Sequence, residues 1–189
     1  MLYKKACAAL AGGTHVVWLR NKIQKMLDDL TSWGKGCGLR FNPTKSIAVH
    51  FSRRHKPHPN CLIIDGRPVD YSSSVKYLGV TLDRKLFWSE HINNKIKNAK
   101  RQLYALSNII SKTWGPKPKL LKWAYTGMVR PALTYAAVSW AHTVKSTGIR
   151  NKLLHLDRLA MLTMAPIQRS TPTRGLAVMY NLMPLTNYV

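Results

Sequence analysis

The chain predicts an α+β fold: a helix and a small antiparallel sheet, followed by an all-helical bundle. Three observations carry that reading. Apolar residues recur every three or four positions over residues 15–36. Short segments of strand character, bounded by turn residues, fill residues 47–82. The helical period then returns and persists to the end of the chain.

The first helix is expected over residues 15–36. Val16, Leu19, Ile23, Met26, Leu30 and Trp33 form one apolar stripe along it. Gly34, Gly36 and Gly38 supply stop signals, and Asn42-Pro43 marks a turn, because a residue before proline is pushed out of the helical region. Ile47 to Phe51 reads as a strand and Cys61 to Ile64 as a second. Asp65-Gly66 is a hairpin signal that returns the chain through Arg67-Pro68-Val69. Val75 to Leu82 reads as one further strand with Gly79 in its interior, where another backbone could approach closely.

Ile92, Ile96, Ala99, Leu103, Leu106 and Ile110 then step by four and three, with Lys95, Lys97, Lys100 and Arg101 assigned to the opposite face. Trp114-Gly115-Pro116 breaks this helix, and Arg130-Pro131 ends or kinks the next one. Residues 132–142 and 149–165 continue the helical pattern. A last helix is expected to start after Thr171-Pro172. The boundary between the two halves falls near Asp83–Leu86.

Composition narrows the partners. Among 189 residues, 46% are hydrophobic, enough for a packed core. Thirty Lys and Arg face seven Asp and Glu, a formal charge of +23. A compact fold with that excess repels itself unless a polyanion neutralises it, and nucleic acid is the leading candidate. The charge concentrates in residues 84–130, where 11 Lys and Arg meet one acid, Glu90. Cys7, Cys37 and Cys61 are odd in number and lack a short pairing motif, which suits a reducing, intracellular compartment, cytoplasmic or nuclear. No apolar run is long enough to span a bilayer, and the Ala-rich stretch within residues 1–13 is too short for a signal peptide.

Several motifs occur in a fixed order: Gly38-Leu39, Asn42-Pro43 and Lys45, then Lys76-Tyr77-Leu78-Gly79, then Leu82-Asp83, Leu86, Trp88 and His91-Ile92. Tyr125, Val129-Arg130-Pro131, Leu133-Thr134-Tyr135, Trp140, Arg169, Thr171-Pro172-Thr173 and Pro184-Leu185 complete the series. In this order they resemble the back half of a reverse transcriptase (RNA-directed DNA polymerase) from jockey-like non-LTR retrotransposons, over roughly residues 18–186.

The resemblance implies that residues 15–85 are the C-terminal part of a polymerase palm and residues 86–189 a thumb and connection region, with residues 1–14 unmatched. It implies that Lys45 lies near the incoming triphosphate, stabilising phosphate charge and acting as a general acid. Tyr77, Leu78 and Gly79 match the primer grip, and Lys95, Lys97, Lys100 and Arg101 would face the backbone of a template–primer duplex. The implied partners are an RNA template, a DNA primer, their hybrid, and the remaining part of the polymerase. The parent enzyme uses magnesium; this chain is expected to hold no metal itself.

Three constellations compete with these assignments. Asp28-Asp29 mimics a catalytic pair, but two-metal chemistry needs carboxylates converging on ions about 3.5–4 Å apart. Neighbours in a helix point about 100° apart. His50, His55, His58 and Cys61 have zinc-ligand chemistry but sit in a basic, proline-containing loop. Trp88, Trp114, Trp123 and Trp140 could stack on bases. Set among Leu and Ala at helical spacing, such residues more often fill a core.

The tyrosine-alanine-aspartate-aspartate turn of the family is not found in this sequence. The chain is therefore expected to be a polymerase fragment, non-catalytic alone but able to bind template–primer. The rival expectation is a stand-alone basic RNA-binding or interaction module derived from a mobile element.

Overall fold

The computed structural model describes residues 7–53, 61–108, 116–164 and 167–189. The chain forms two compact units, Met1–Leu86 and Phe87–Val189.

The first unit begins with α1 (Val16–Gly36), which ends in a Schellman motif. Gly38 takes φ +70°, the Leu39 amide donates to Gly34 O at 2.7 Å and the Gly38 amide to Lys35 O at 3.2 Å. Of the three candidate glycines, Gly38 is thus the one placed where a left-handed backbone is required. The strands are β1 (Ile47–Ala48), β2 (Leu62–Ile64), β3 (Arg67–Tyr71), β4 (Ser74–Tyr77) and β5 (Val80–Asp83). Strands β2 and β3 pair antiparallel through the turn at Asp65 (φ 49°) and Gly66 (φ 77°), the left-handed pair that a two-residue hairpin needs. Strand β1 is two residues long, shorter than the sequence pattern suggests, and pairs with β3 in parallel.

Leu62, Ile64 and Val69 form the core of this unit, with Ile23, Leu27 and Phe41 packed against them. Gln24 of α1 binds the backbone of β2: its Nε2 donates to Ile63 O at 2.8 Å and its Oε1 accepts from Ile63 N at 3.0 Å. A helix side chain thereby covers groups that an edge strand would expose.

Gly34 is buried, and a Cβ there would stand 2.9 Å from the Phe41 ring and 3.2 Å from Leu39 O. A Cβ at Gly36 would meet nothing within 4 Å. Alanine gains up to about 1 kcal/mol of helix propensity over glycine, whereas overpacking costs about 1–3 kcal/mol. Gly36→Ala is expected to raise the urea midpoint and Gly34→Ala to lower it. Equal shifts in one direction would show that the Gly34–Phe41 contact is not tight.

The second unit contains α2 (Ser89–Asn108), α3 (Pro118–Ala124), a π turn (Tyr125–Val129), α4 (Arg130–Thr134), α5 (Ala137–Trp140), α6 (Thr147–Thr163), α7 (Thr173–Met179) and α8 (Leu185–Tyr188). Pro131 does not end the helix it enters. It occupies the first turn of α4, directly after the π turn, where its missing N–H matters least. Ile92, Ile96, Ala99 and Leu103 of α2 are buried, as the stepping of apolar residues predicts, and α6 buries Leu153, Leu156 and Ala160. Ile110 lies outside the described residues.

A buried polar clasp joins the later helices. The Tyr125 hydroxyl donates to Asp157 Oδ1 at 2.7 Å, and the Leu185 amide donates to Asp157 Oδ2 at 2.6 Å. Arg130 lies 3.6 Å from Asp157 Oδ1, donates to Met183 O, and stacks over the rings of Tyr125 and Tyr188. Burial pushes the Asp157 carboxyl above its usual range, opposed by the Leu185 amide, Tyr125 and Arg130. Arg158 organises a second joint, donating to Thr171 O, Thr173 Oγ1 and Arg169 O.

His91 is 1% exposed, edge-on to Trp88 at 6.2 Å and tilted against Trp140 at 6.4 Å between ring centroids. Burial lowers its pKa below 6.5, and the charge of Lys95 lowers it further. The folded state therefore favours neutral imidazole. This contribution is complete above the unfolded pKa and is lost as pH falls below it. Denaturant midpoints measured from pH 8 to 5 should fall towards acid, with a shallower fall in His91→Gln. Identical slopes would remove His91 as the cause.

Candidate nucleic-acid interface

In the first unit, the Gly38–Ser46 motif is a folded device. Gly38 closes α1, and Asn42 then caps a short 3-10 turn (Pro43–Lys45) by accepting from the Thr44 amide at 3.0 Å and the Thr44 hydroxyl at 2.7 Å. The Ser46 hydroxyl donates back to Asn42 O at 2.9 Å. Proline at the first turn position has the required φ and needs no donor. The result is a rigid bend that leaves Lys45 exposed immediately before β1.

The segment around Gly79 corrects the sequence reading. Residues 75–82 are not one strand with an interior glycine. They form a hairpin in which β4 and β5 pair from Ser74↔Asp83 to Tyr77↔Val80, and Leu78-Gly79 is its two-residue turn. Leu78 (φ 46°) and Gly79 (φ 81°) both adopt left-handed backbone. A continuous strand cannot accommodate two such residues, so the glycine serves the reversal, not an approach within a strand. Leu78 is 64% exposed at the tip, with Tyr77 partly buried below it. Arg84 N donates to Ser73 O at 2.9 Å and closes the base of the hairpin, and Ser52 N donates to Arg84 O at 3.1 Å, tying that base to the chain after β1. Lys45 precedes β1 and the hairpin base follows it, so the two motifs share one unit but are anchored at opposite ends of that short path.

In the second unit, α2 and α6 flank an open groove of about 770 Å³. From α2 it is lined by Asn93, Lys97, Lys100, Arg101 and Tyr104, and from α6 by Lys152 and His155. Ile96 and Leu159 supply apolar surface. Among the described residues no acid lines it. At one end Lys152 Nζ donates to Asn93 Oδ1 at 2.8 Å. Tyr104 is 55% exposed.

This geometry separates the four basic residues assigned to one face of α2. Lys97, Lys100 and Arg101 share the groove, whereas Lys95 donates to Ala132 O at 3.2 Å and stacks on the Tyr135 ring at 4.6 Å. Residues two apart on a helix do not face the same way, so Lys95 and Lys97 diverge. Tyr104, Lys152 and His155 were not among the sequence-based candidates. The spacing 97, 100, 101, 104 is itself a helical stripe, and 152, 155, 159 is another.

The competing constellations also receive positions. Asp28 and Asp29 are exposed on α1, with Gln24 Nε2 donating to Asp28 Oδ1 at 2.9 Å. Asp65 pairs with Lys35 at 2.9 Å, and Asp157 is held in the clasp. No cluster of three metal-capable side chains exists among the described residues. His55 and His58 of the basic loop lie outside the described residues, as does Trp114. Trp88 and Trp140 are buried, whereas Trp123 is 69% exposed.

No helix among the described residues is long and apolar enough to cross a membrane. No family model matches the sequence, and no solved structure matches the fold. The chain is 27% identical over 168 residues to the RNA-directed DNA polymerase from mobile element jockey of Drosophila melanogaster, covering 87% of this chain and 18% of that protein. It is 23% identical over 176 residues to a putative 115 kDa protein in the type-1 retrotransposable element R1DM of Drosophila melanogaster, covering 93% of the chain and 17% of the relative. It is 22% identical over 184 residues to a retrovirus-related Pol polyprotein from type-1 retrotransposable element R1 of Nasonia vitripennis, covering 87% and 52%. The chain thus spans under a fifth of two relatives and about half of the third. Its homologues are proteins of the jockey and R1 kinds of non-LTR retrotransposon, several of them named RNA-directed DNA polymerase.

Proposed function

We propose that the chain is the template–primer-gripping portion of a retrotransposon reverse transcriptase, with residues 15–85 forming the C-terminal palm and residues 86–189 the thumb. The carrying observation is the acid-free groove of α2 and α6, whose Lys97, Lys100, Arg101 and Lys152 offer a polyanion four cations on one surface. In the assembled polymerase, the exposed Lys45 would serve the triphosphate, and the Tyr77-Leu78-Gly79 hairpin tip would touch the primer. The metal-binding carboxylates would come from outside this chain, whose described acids are scattered or already engaged. On this reading the chain alone binds nucleic acid without polymerising.

Binding of an RNA–DNA hybrid, followed by fluorescence anisotropy across a salt series, tests the reading. Affinity should fall steeply with salt. Replacing Lys97, Lys100 and Arg101 together by Ala should weaken binding and reduce the slope of log K against log salt by about 2–3, from roughly 0.7–0.9 per phosphate contact. Binding that ignores salt, or is unchanged in the triple variant, would overturn the proposed grip. Robust nucleotide incorporation in a primer-extension assay would overturn the non-catalytic assignment.

A further inference from the structure

We infer that the α2–α6 groove takes an unpaired nucleic-acid strand, with one base stacked on Tyr104 and the backbone held by the lysines. The inference rests on the nucleic-acid reading above and adds an unpaired strand to the hybrid that the same cations hold.

A row of cations would hold any phosphate backbone, paired or unpaired. The remainder of the lining discriminates between them. The half-buried Leu159 contributes apolar surface, and Tyr104 presents a half-exposed ring in line with Lys97 and Lys100. The bases of a duplex are stacked inside it, so it gives an apolar surface and an aromatic ring nothing to cover. An unpaired strand has free π-faces, and a basic groove with an aromatic platform is the general solution for holding one.

Size agrees with this assignment. From Asn93 to Tyr104 the helix rises about 16 Å, at 1.5 Å per residue. That matches roughly five nucleotides of a stacked strand at 3.4 Å each. The Lys152–Asn93 hydrogen bond spans the end away from Tyr104. The stacked base therefore belongs at the Tyr104 end.

The experiment uses the full chain with two probes: an eight-nucleotide single-stranded RNA containing 2-aminopurine, and a blunt RNA–DNA hybrid of the same length. Tyr104→Ala should weaken single-strand binding about 5- to 150-fold, the effect of losing one base–aromatic stack. It should leave hybrid affinity within twofold, while Tyr104→Phe binds both probes like the wild type. Quenching of 2-aminopurine should vanish only in Tyr104→Ala. Because Tyr104 is exposed, the variant is expected to fold, and circular dichroism verifies that. If the chain binds the hybrid but not the single strand, or if Tyr104→Ala weakens both probes equally or neither, the inference is overturned and the grip survives. If neither probe binds, the proposed function falls and the inference falls with it.

Discussion

Asp157→Ala should strongly destabilise the second unit. The carboxylate accepts from Tyr125 and from the Leu185 amide and balances Arg130, with both charged side chains 6% exposed. Removing one partner of a buried ion pair costs about 3–5 kcal/mol, because the other charge is left uncompensated. A domain's whole stability is about 5–15 kcal/mol. Urea denaturation followed by tryptophan fluorescence reports on this unit through Trp88, Trp123 and Trp140, once Trp18 and Trp33 of the first unit are replaced by Phe. The double variant Asp157→Leu, Arg130→Met should recover much of the loss, because a well-packed apolar pair avoids burying charge. A loss under 1 kcal/mol for Asp157→Ala would show that the clasp does not hold the unit together.

The clasp also explains why an ordered series of short motifs could be read without a fold in view. Leu185 stands far in sequence from Tyr125 and Arg130, yet their side-chain or backbone groups meet at Asp157 or beside it. Thr171 and Thr173 meet at Arg158. Gly38 and Asn42 stop a helix and cap a turn. These positions have packing and hydrogen-bonding roles of their own, whatever further part they take in a polymerase.

Periodicity made the helices legible: α2 and α6 each bury a single stripe, whereas of the α1 stripe only Leu19 is buried, Val16, Ile23, Met26 and Leu30 are half-buried, and Trp33 is 59% exposed. Periodicity made the site less legible. The Val75–Leu82 segment has the composition of one strand, and only the left-handed backbone at Leu78 and Gly79 makes it two. Leu at such a position is uncommon, because its Cβ crowds the backbone, so composition gave no warning. The groove was half legible: one wall lies within the charge-rich stretch of residues 84–130, and the other comes from α6, whose pairing with α2 no local pattern records. The face opposite the apolar stripe is wide enough to hold both Lys95, which turns to Ala132 and Tyr135, and Lys97, which turns to the groove.

Trp140→Ala should cost about 3–5 kcal/mol, the range for truncating a buried aromatic. Trp140 is 1% exposed and its Nε1 donates to Tyr135 O at 3.2 Å. Its ring lies against His91, so truncation opens a cavity and leaves a buried imidazole with one wall missing. Trp123 is the internal comparison. At 69% exposed it has little packing to lose, and Trp123→Ala should change stability by no more than about 0.5 kcal/mol. Chemical denaturation of the two variants separates the readings available to tryptophans in a basic helical protein. A core role predicts a large loss of stability at Trp140, with hybrid affinity retained by whatever fraction stays folded. A base-stacking role predicts the reverse, a stable protein that binds weakly. If Trp140→Ala keeps its urea midpoint and loses hybrid binding, the α2–α6 groove is not the principal contact, and the nucleic acid must reach a face that the folded second unit keeps closed.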